Sequence, residues 1–584
     1  MPTPMERKEA INIPESNQTK PEPALSPETP TSLDSSGKQI RKRNKPSLSC
    51  EACTVKKTKC DRGRPRCLAC AKRRSQCQYS QLADLIEESH RALGIESPRK
   101  KPKQQQQQQQ QQARSANPTT IHGIQDGKPP VERRQSRSST GSSPMLLSNM
   151  PFSHPTASNI FKAEHPFSNY WTLAGGLAEV VEVLPSKDQS DILIAKYFDV
   201  VDPIYPMIDQ VSFRQDYEHV WSIPPEERKH TDGSLIALMF VMLAMGTQFV
   251  LLPSPDQKEQ TAEFYVSASH QALRMSSYLS RPSLRSIQTM VLITYFLMND
   301  NHSSDAYCFA GILIRQAYAL GLNRDPSLVV PNAYAFEMQQ RRKLWQAVFL
   351  QDTFFTIILK LPPTATHTDV RLEDLDERDQ DPNENAGAND ISYIRCFWTL
   401  CNICQSSLCT PRSLSLPISS TPAARSRLVA AFHRVYSSFP LPFRTFNESA
   451  ICDLARRSKR LARQTLFLSS NYHHCLMLVY ADENEEMTLD LEGTLNSAHE
   501  AVNSYFLLHT LFQAEARVWF HFQHRAFSES LVIAELIKNK PEGFSSMDPL
   551  YMRAKNDLLR MIGILQLSSE IDVVSRTRVG VLSN

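Results

Sequence analysis

Six cysteines set the strongest constraint on what this chain can fold into. They stand at Cys50-x2-Cys53-x6-Cys60-x6-Cys67-x2-Cys70-x6-Cys77, two near-equal halves, each an x2 pair followed, after six intervening residues, by a third thiol. Thiolate is the soft ligand that zinc prefers, and an x2 pair lets two sulfurs meet one ion across a single turn of backbone. One tetrahedral zinc would use four of the six and leave two thiols idle. Two zincs need eight ligand positions, so two cysteines must each serve both ions, and the repeat makes the leading thiol of each half, Cys50 and Cys67, the natural bridges. A segment with so few apolar residues has little core, so the metal supplies much of its folding free energy.

Charge singles out the same segment. Arg41 to Tyr79 carries 13 lysines and arginines against Glu51 and Asp61, while the whole chain of 584 residues is only +4. The segment is thus +11 and the remainder −7, the pattern of a polyanion-binding module attached to a body that does not bind polyanions. Two Zn2+ and six thiolates sum to −2, which the surrounding bases balance. Between Cys53 and Cys60 runs Thr54-Val55-Lys56-Lys57-Thr58-Lys59. A helix begun at the first cysteine pair is expected to project these lysines, which can donate to guanine O6 and N7 in a major groove or neutralise phosphate.

The chain divides by composition. Residues 1–45 are rich in Pro, Ser, Thr, Glu and Lys and read as a disordered, basic-ended tail. Residues 46–80 hold the cysteine cluster. Residues 81–96 carry Leu82, Leu85, Ser89 and Ala92 at helical steps, a short helix and a possible dimer seam. Residues 97–158, with Gln104 to Gln112 and a Ser/Pro/Arg-rich run, read as a disordered linker. Residues 159–584 form a large all-α domain. Helical periodicity marks 192–201, 235–252, 284–298, 306–322, 341–359, 391–408, 423–436, 454–479, 495–512 and 517–537. The most apolar of these, Leu235 to Leu252, is interrupted by Gly246, Thr247 and Gln248 and ended by Pro253, so it reads as a buried core helix and no membrane partner is expected.

The segment SCEACTVKKTKCDRGRPRCLACAKRRSQCQYS, Ser49 to Ser80, resembles the fungal binuclear zinc cluster, the DNA-binding domain of a large family of fungal transcription factors. Pro65 matches the proline that turns the chain between the two units, whereas Thr54 and Val55 stand where many members are basic. The resemblance implies that Lys57 and Lys56 contact bases of a CGG-type triplet and that Lys59 and Arg62 contact phosphate. It implies zinc as cofactor, two ions per chain, and double-stranded DNA as partner. A homodimer, or a heterodimer with another zinc cluster factor, is the further expectation, because one cluster covers one half-site.

The body is similar to that family's fungal-specific middle homology domain at three places. These are Tyr197-Phe198-Asp199 through Pro203-Ile204-Tyr205-Pro206-Met207-Ile208 with Phe213, Ala310-Gly311-Ile312 through Leu320-Gly321-Leu322-Asn323-Arg324-Asp325, and Arg341-Arg342-Lys343-Leu344-Trp345 to Asp352. Lys360-Leu361-Pro362 replaces the Gly-Arg-Pro usual after the third. Leu344, Trp345, Val348, Phe349 and Phe355 share a helical face and read as core, and Arg341 and Arg342 as solvated or salt-bridged.

Together these readings describe a nuclear, sequence-specific transcription factor for RNA polymerase II genes that reads CGG-type triplets through its cluster. The alternative is a co-regulator recruited through its helical domain, with a dispensable cluster. Arg41, Lys42, Arg43 and Lys45, and Arg99, Lys100, Lys101 and Lys103, are candidates for nuclear import. The glutamine tract and the acidic runs Glu373 to Asp381 and Asp482 to Glu486 could meet coactivators, although solvated loops account for them as well. Cys401-x2-Cys404, flanked by Cys396 and Cys409, sits in an apolar helical pattern and reads as buried structural cysteine. No acid or third ligand neighbours His473, His474 and Cys475 in sequence, and no phosphate-cradling glycine loop or nucleophile motif is present, so no enzyme is expected.

Overall fold

A computed structural model of the chain describes residues 50–60, 67–73, 75–78, 145–146, 160–161, 166–167, 170–172, 176–250, 255–370, 389–444, 446–539, 545, 547–569 and 573–583. The chain forms two units, residues 1–132 and 133–584. The described part of the first holds two single-turn helices, α1 (Glu51–Val55) and α2 (Leu68–Lys72), and its interior consists of cysteines with Ala52 and Ala69 packed against them. The tail, the 81–96 helix, the import candidates and Arg62 lie outside the described residues.

The second unit opens with a two-residue antiparallel ladder, β1 (Met145–Leu146) with β2 (Ile160–Phe161), Met145 opposite Phe161. Among the described residues every other element is helical: α3 (Gly176–Val181), α4 (Lys187–Lys196), α5 (Gln210–Ser222), α6 (Gly233–Phe249), α7 (Pro255–Met275), α8 (Leu284–Asn299), α9 (Ser303–Ala319), α10 (Pro326–Val329) and α11 (Ala335–Leu359), then α12 (Asp390–Cys404), α13 (Thr410–Leu414), α14 (Pro422–Ser437), α15 (Glu448–Arg457), α16 (Lys459–Tyr480), α17 (Leu491–Leu511), α18 (Gln513–Ala516), α19 (Phe520–Asn539), α20 (Pro549–Ser569) and α21 (Val573–Leu582). The main core runs from Val180 to Leu582, and a smaller cluster gathers Met477, Leu495, Ala498, Ile533, Leu536 and Ala554.

Helix α6 is apolar on every side and is buried along almost its whole length, as an all-round apolar helix must be. It packs on α4, α7 and α8. The residues that interrupt its apolar run have specific tasks. A Cβ on Gly246 would stand 2.2 Å from the Leu193 carbonyl oxygen of α4, so glycine is what lets that backbone approach. Thr247 Oγ1 donates to Leu243 O at 2.8 Å, and Gln248 Oε1 accepts from Asn299 Nδ2 at 3.2 Å. Among the described residues no helix is long and apolar enough to cross a membrane.

The remaining boundaries follow capping chemistry. Ser458, at φ −149°, accepts from Leu461 N and divides the expected 454–479 helix into α15 and α16. The expected 192–201 and 391–408 helices each end in a π turn, Tyr197–Val201 and Gln405–Cys409. Helices α5, α7, α20 and α21 add to the expected set. Helix α7 gave little apolar signal because its buried face is built of small residues, among them Ala262, Ser267, Ala268, Ser269 and Ala272. That face sits close enough for Ser269 Oγ to donate to Ala237 O of α6 at 2.7 Å.

The third stretch of resemblance packs as core. Leu344, Trp345, Val348, Phe349 and Phe355 are all buried, and Trp345 Nε1 donates to Thr368 Oγ1 at 2.9 Å. Arg341 pairs with Glu337 at 3.0 Å and Arg342 with Asp325 at 3.4 Å. Asp352 accepts from the backbone N–H groups of Thr364 and Ala365 at 2.8 and 2.7 Å, pinning the turn that leaves α11. At that turn Lys360 adopts φ +58°, the left-handed conformation that favours glycine at a helix end, which accounts for the glycine in the related motif.

Candidate metal centre and nucleic-acid interface

Each half of the cluster is built the same way. Thr58 N donates to Cys53 O at 3.0 Å and Ser75 N to Cys70 O at 3.1 Å, so each x2 pair is followed by the same five-residue closure. That closure swings the chain back and brings the third thiol toward the first two. Cys67 caps α2, its sulfur accepting from Cys70 N at 3.3 Å, and Cys67 N donates to Cys77 Sγ at 3.4 Å.

The six sulfurs gather into two quartets, Cys50, Cys53, Cys60 and Cys67, and Cys50, Cys67, Cys70 and Cys77, each with all its sulfurs within 4.8 Å of one another. Cys50 and Cys67 belong to both. The separations Cys50–Cys67, Cys50–Cys70 and Cys53–Cys67 are 3.7, 3.6 and 3.7 Å. Four sulfurs at about 2.3 Å from a zinc ion form a tetrahedron with edges of about 3.8 Å. These edges therefore fit zinc and are far too long for disulfides. Cys50, Cys53, Cys67 and Cys70 are buried, and Cys60 and Cys77 close the two ends half-buried. Burial pushes the Cys67 thiol up to about 12 and raises Cys50 as well. Burial also acts to raise Cys53, but hydrogen bonds from Thr58 and the neighbouring thiols prevail and bring it down to about 7. A dication would release the protons of all six.

The lysines lie where the repeat puts them but not on a helix. Helix α1 ends at Val55, and Lys56, Lys57 and Lys59 occupy the exposed turn that follows. Lys57 has φ +47°, the left-handed residue that ends the helix. The expectation of a lysine-bearing helix is corrected accordingly: the five-residue closure stops α1 before the first lysine. Thr54 lies on α1 and exposed Val55 ends it.

Sequence reasoning missed Arg73. From the second half its Nε donates to Ala69 O at 2.9 Å, while Nη2 donates to Thr58 Oγ1 of the first half at 2.9 Å and reaches Cys53 Sγ at 3.6 Å. Among the described residues, Arg73 thus joins the halves in addition to the thiols. The spacing carries only a weak signal for it: Thr58 stands five residues after Cys53, the place at which its half closes, but nothing in the spacing says that a donor from the other half meets it there.

The other singled-out residues have structural partners. Cys396, Cys401, Cys404 and Cys409 are buried, Cys404 Sγ lies 3.5 Å from Cys475 Sγ, and among the described residues they join no group of three ligand atoms able to share an ion. His474 has no acid near it in sequence, but the fold supplies Glu529, whose Oε1 lies 2.9 Å from His474 Nδ1. In the acidic run Asp482 to Glu486, the Asp482 carboxylate accepts from Ile418 N and Ser419 N at 3.0 and 2.7 Å. The run Glu373 to Asp381 lies outside the described residues.

Comparison with known proteins agrees with this geometry. Residues 48–84 match the model of the fungal Zn(2)-Cys(6) binuclear cluster domain, and residues 194–462 match that of the fungal specific transcription factor domain. Similar curated proteins include the Zn(2)-C6 fungal-type transcription factor mpsB of Macrophomina phaseolina, 28% identical over 31% of this chain and 25% of the relative. Transcription factor yanR of Aspergillus niger is 26% identical over 35% of this chain and 27% of its own length. The fusarisetin A cluster transcription factor fsa6 of a Fusarium species is 21% identical over 56% of this chain and 52% of its own. The chain thus spans about a quarter of the length of the first two and about half of the third.

Proposed function

This chain belongs to the family of fungal Zn(2)-Cys(6) transcription factors, a family of regulators and not of enzymes, and from that premise we propose that it is a nuclear, sequence-specific DNA-binding factor for RNA polymerase II genes. In this reading residues 46–80 are the DNA-binding module, 81–96 a dimer seam, 97–158 a linker and 159–584 the regulatory domain. Two zinc ions per chain are held by Cys50, Cys53, Cys60, Cys67, Cys70 and Cys77, with Cys50 and Cys67 bridging. Zinc supplies cross-links that fold the module and takes no other part.

Lys56 and Lys57 then read a CGG-type triplet in the major groove, and Lys59 and Arg62 grip phosphate. The observation that carries the reading is the exposure of Lys56, Lys57 and Lys59 on one turn between two cysteines of a shared quartet. A turn at a helix end, with lysines fanned around it, can enter a groove at close range and still leave neighbouring bases on the phosphates. Thr54 and Val55 offer no charge there, so affinity rests on fewer phosphate contacts and falls less steeply with salt than it would with two more bases.

The test is selection of bound duplexes from a random DNA pool by the full zinc-loaded chain. CGG-type triplets are expected to be enriched, and Lys57→Ala is expected to weaken the selected site by about 1–3 kcal/mol. Binding that is salt-sensitive but blind to sequence would refute the proposal.

A further inference from the structure

Helices α1 and α2 are equivalent parts of the two halves of the cysteine module and can be matched residue by residue. Glu51–Val55 reads EACTV and Leu68–Lys72 reads LACAK, so Ala52 answers to Ala69, Cys53 to Cys70 and the last residue, Val55, to Lys72. Lys72 is exposed, as a charged residue at a helix end is expected to be. Val55 is 81% exposed although it is apolar.

Nothing in the module's own structure asks for a valine at that place. Its interior consists of cysteines with Ala52 and Ala69 packed against them, and Val55 takes no part in it. The second half shows that the same fold accepts lysine at the equivalent position. Valine is also a weaker helix former than lysine. Scattered apolar side chains are ordinary on a surface, but this one directly precedes the turn that carries the exposed Lys56, Lys57 and Lys59. In a major groove, thymine is the one base that presents an apolar group, its C5 methyl. Valine has neither donor nor acceptor, so methyl contact is the means by which it can tell one base from another. Successive Cα atoms lie about 3.8 Å apart and successive bases of a strand about 3.4 Å. The residue before Lys56 is therefore within reach of the base pair next to those that Lys56 and Lys57 meet.

We infer that Val55 is a specificity-determining residue that packs on the C5 methyl of a thymine at a base pair flanking the triplet. The contact rests on the base reading proposed above for Lys56 and Lys57 and extends it to a neighbouring position. It removes apolar surface from water and adds no charge, so it sharpens sequence preference without adding a phosphate contact.

The experiment measures binding of the full zinc-loaded chain to the duplexes it selects from a random pool, with uracil then placed for thymine at each flanking position. A thymine is expected to be selected at one position beside the triplet. Uracil there, which lacks only the methyl, is expected to weaken binding about three- to fivefold. Val55→Ala, whose single methyl falls short of the base, is expected to bind thymine and uracil equally. Val55→Lys, which copies the second half, is expected to lose the thymine preference and to bind with a steeper dependence on salt. Selected sites with a triplet but random flanks, equal binding of thymine and uracil by the wild type, or a uracil penalty that persists in Val55→Ala would each overturn the contact and leave the reading of the triplet standing. Selected sites with no triplet would overturn that reading and the contact with it. The exchange of thymine for uracil alters the DNA alone, so the test stays decisive should a variant disturb folding.

Discussion

Arg73 Nη2 donates to Thr58 Oγ1 at 2.9 Å, joining the end of one cysteine repeat to the turn that closes the other. The contact is exposed, so its net worth is that of an ordinary side-chain hydrogen bond, about 0.5–1.5 kcal/mol. Arg73→Ala and Thr58→Val are each expected to speed zinc loss to a chelator by a few-fold, and the double variant to be little worse than either. Fully additive effects would mean that the two side chains act independently.

Zinc content follows from the shared thiols. Native mass spectrometry is expected to find two ions on each wild-type chain and one on Cys60→Ser, which breaks a single quartet. Cys50→Ser removes a thiol from both quartets and is expected to retain neither ion at low free zinc. One ion on the wild-type chain would refute the two-quartet assignment.

Asp352 gives the second unit a pH signature. It is 3% exposed, and burial raises its carboxyl to about 6 even though two backbone N–H groups favour the anion. The folded state therefore holds this proton more tightly than the unfolded chain does. The stability it contributes is fully present below the ordinary aspartate value and is lost as pH rises to about 6. Relative to Asp352→Asn, wild-type stability is expected to fall by about 1.4 kcal/mol per pH unit across that window and to level off above it. Denaturant melts across the window, in which the difference stayed flat, would show that Asp352 titrates normally.

Gly246→Ala places a methyl group against the Leu193 carbonyl, where backbone and not a flexible side chain must yield. The expected cost is about 1–3 kcal/mol, read as a drop of a few degrees in the melting temperature with helicity preserved. An unchanged melting temperature would mean that α4 and α6 are free to part.

How much of this was legible in the sequence depends on how local the physics is. The cysteine spacing contained both quartets because each x2 pair and its third thiol are bound by one turn of backbone, and the repeat named Cys50 and Cys67 as the shared pair. The turn at Lys57 was not legible, since a lysine in the left-handed region answers to the Thr58–Cys53 closure and not to its own preference. In the body, α6 declared itself by apolar content, whereas α7 hid because small residues carry little hydrophobic signal. Glu529 beside His474 and Arg460 between Asp202 and Asp390 could not be read at all. Those partners lie far apart in sequence and meet only through packing.

The most direct measurement is genome-wide occupancy of the tagged protein in its own cell, run beside Cys50→Ala. The wild type is expected to mark CGG-containing sites and the variant, expressed at equal level, to mark none. Occupancy that survives the loss of Cys50 would contradict a DNA-reading cluster and assign recruitment to a partner of the helical body.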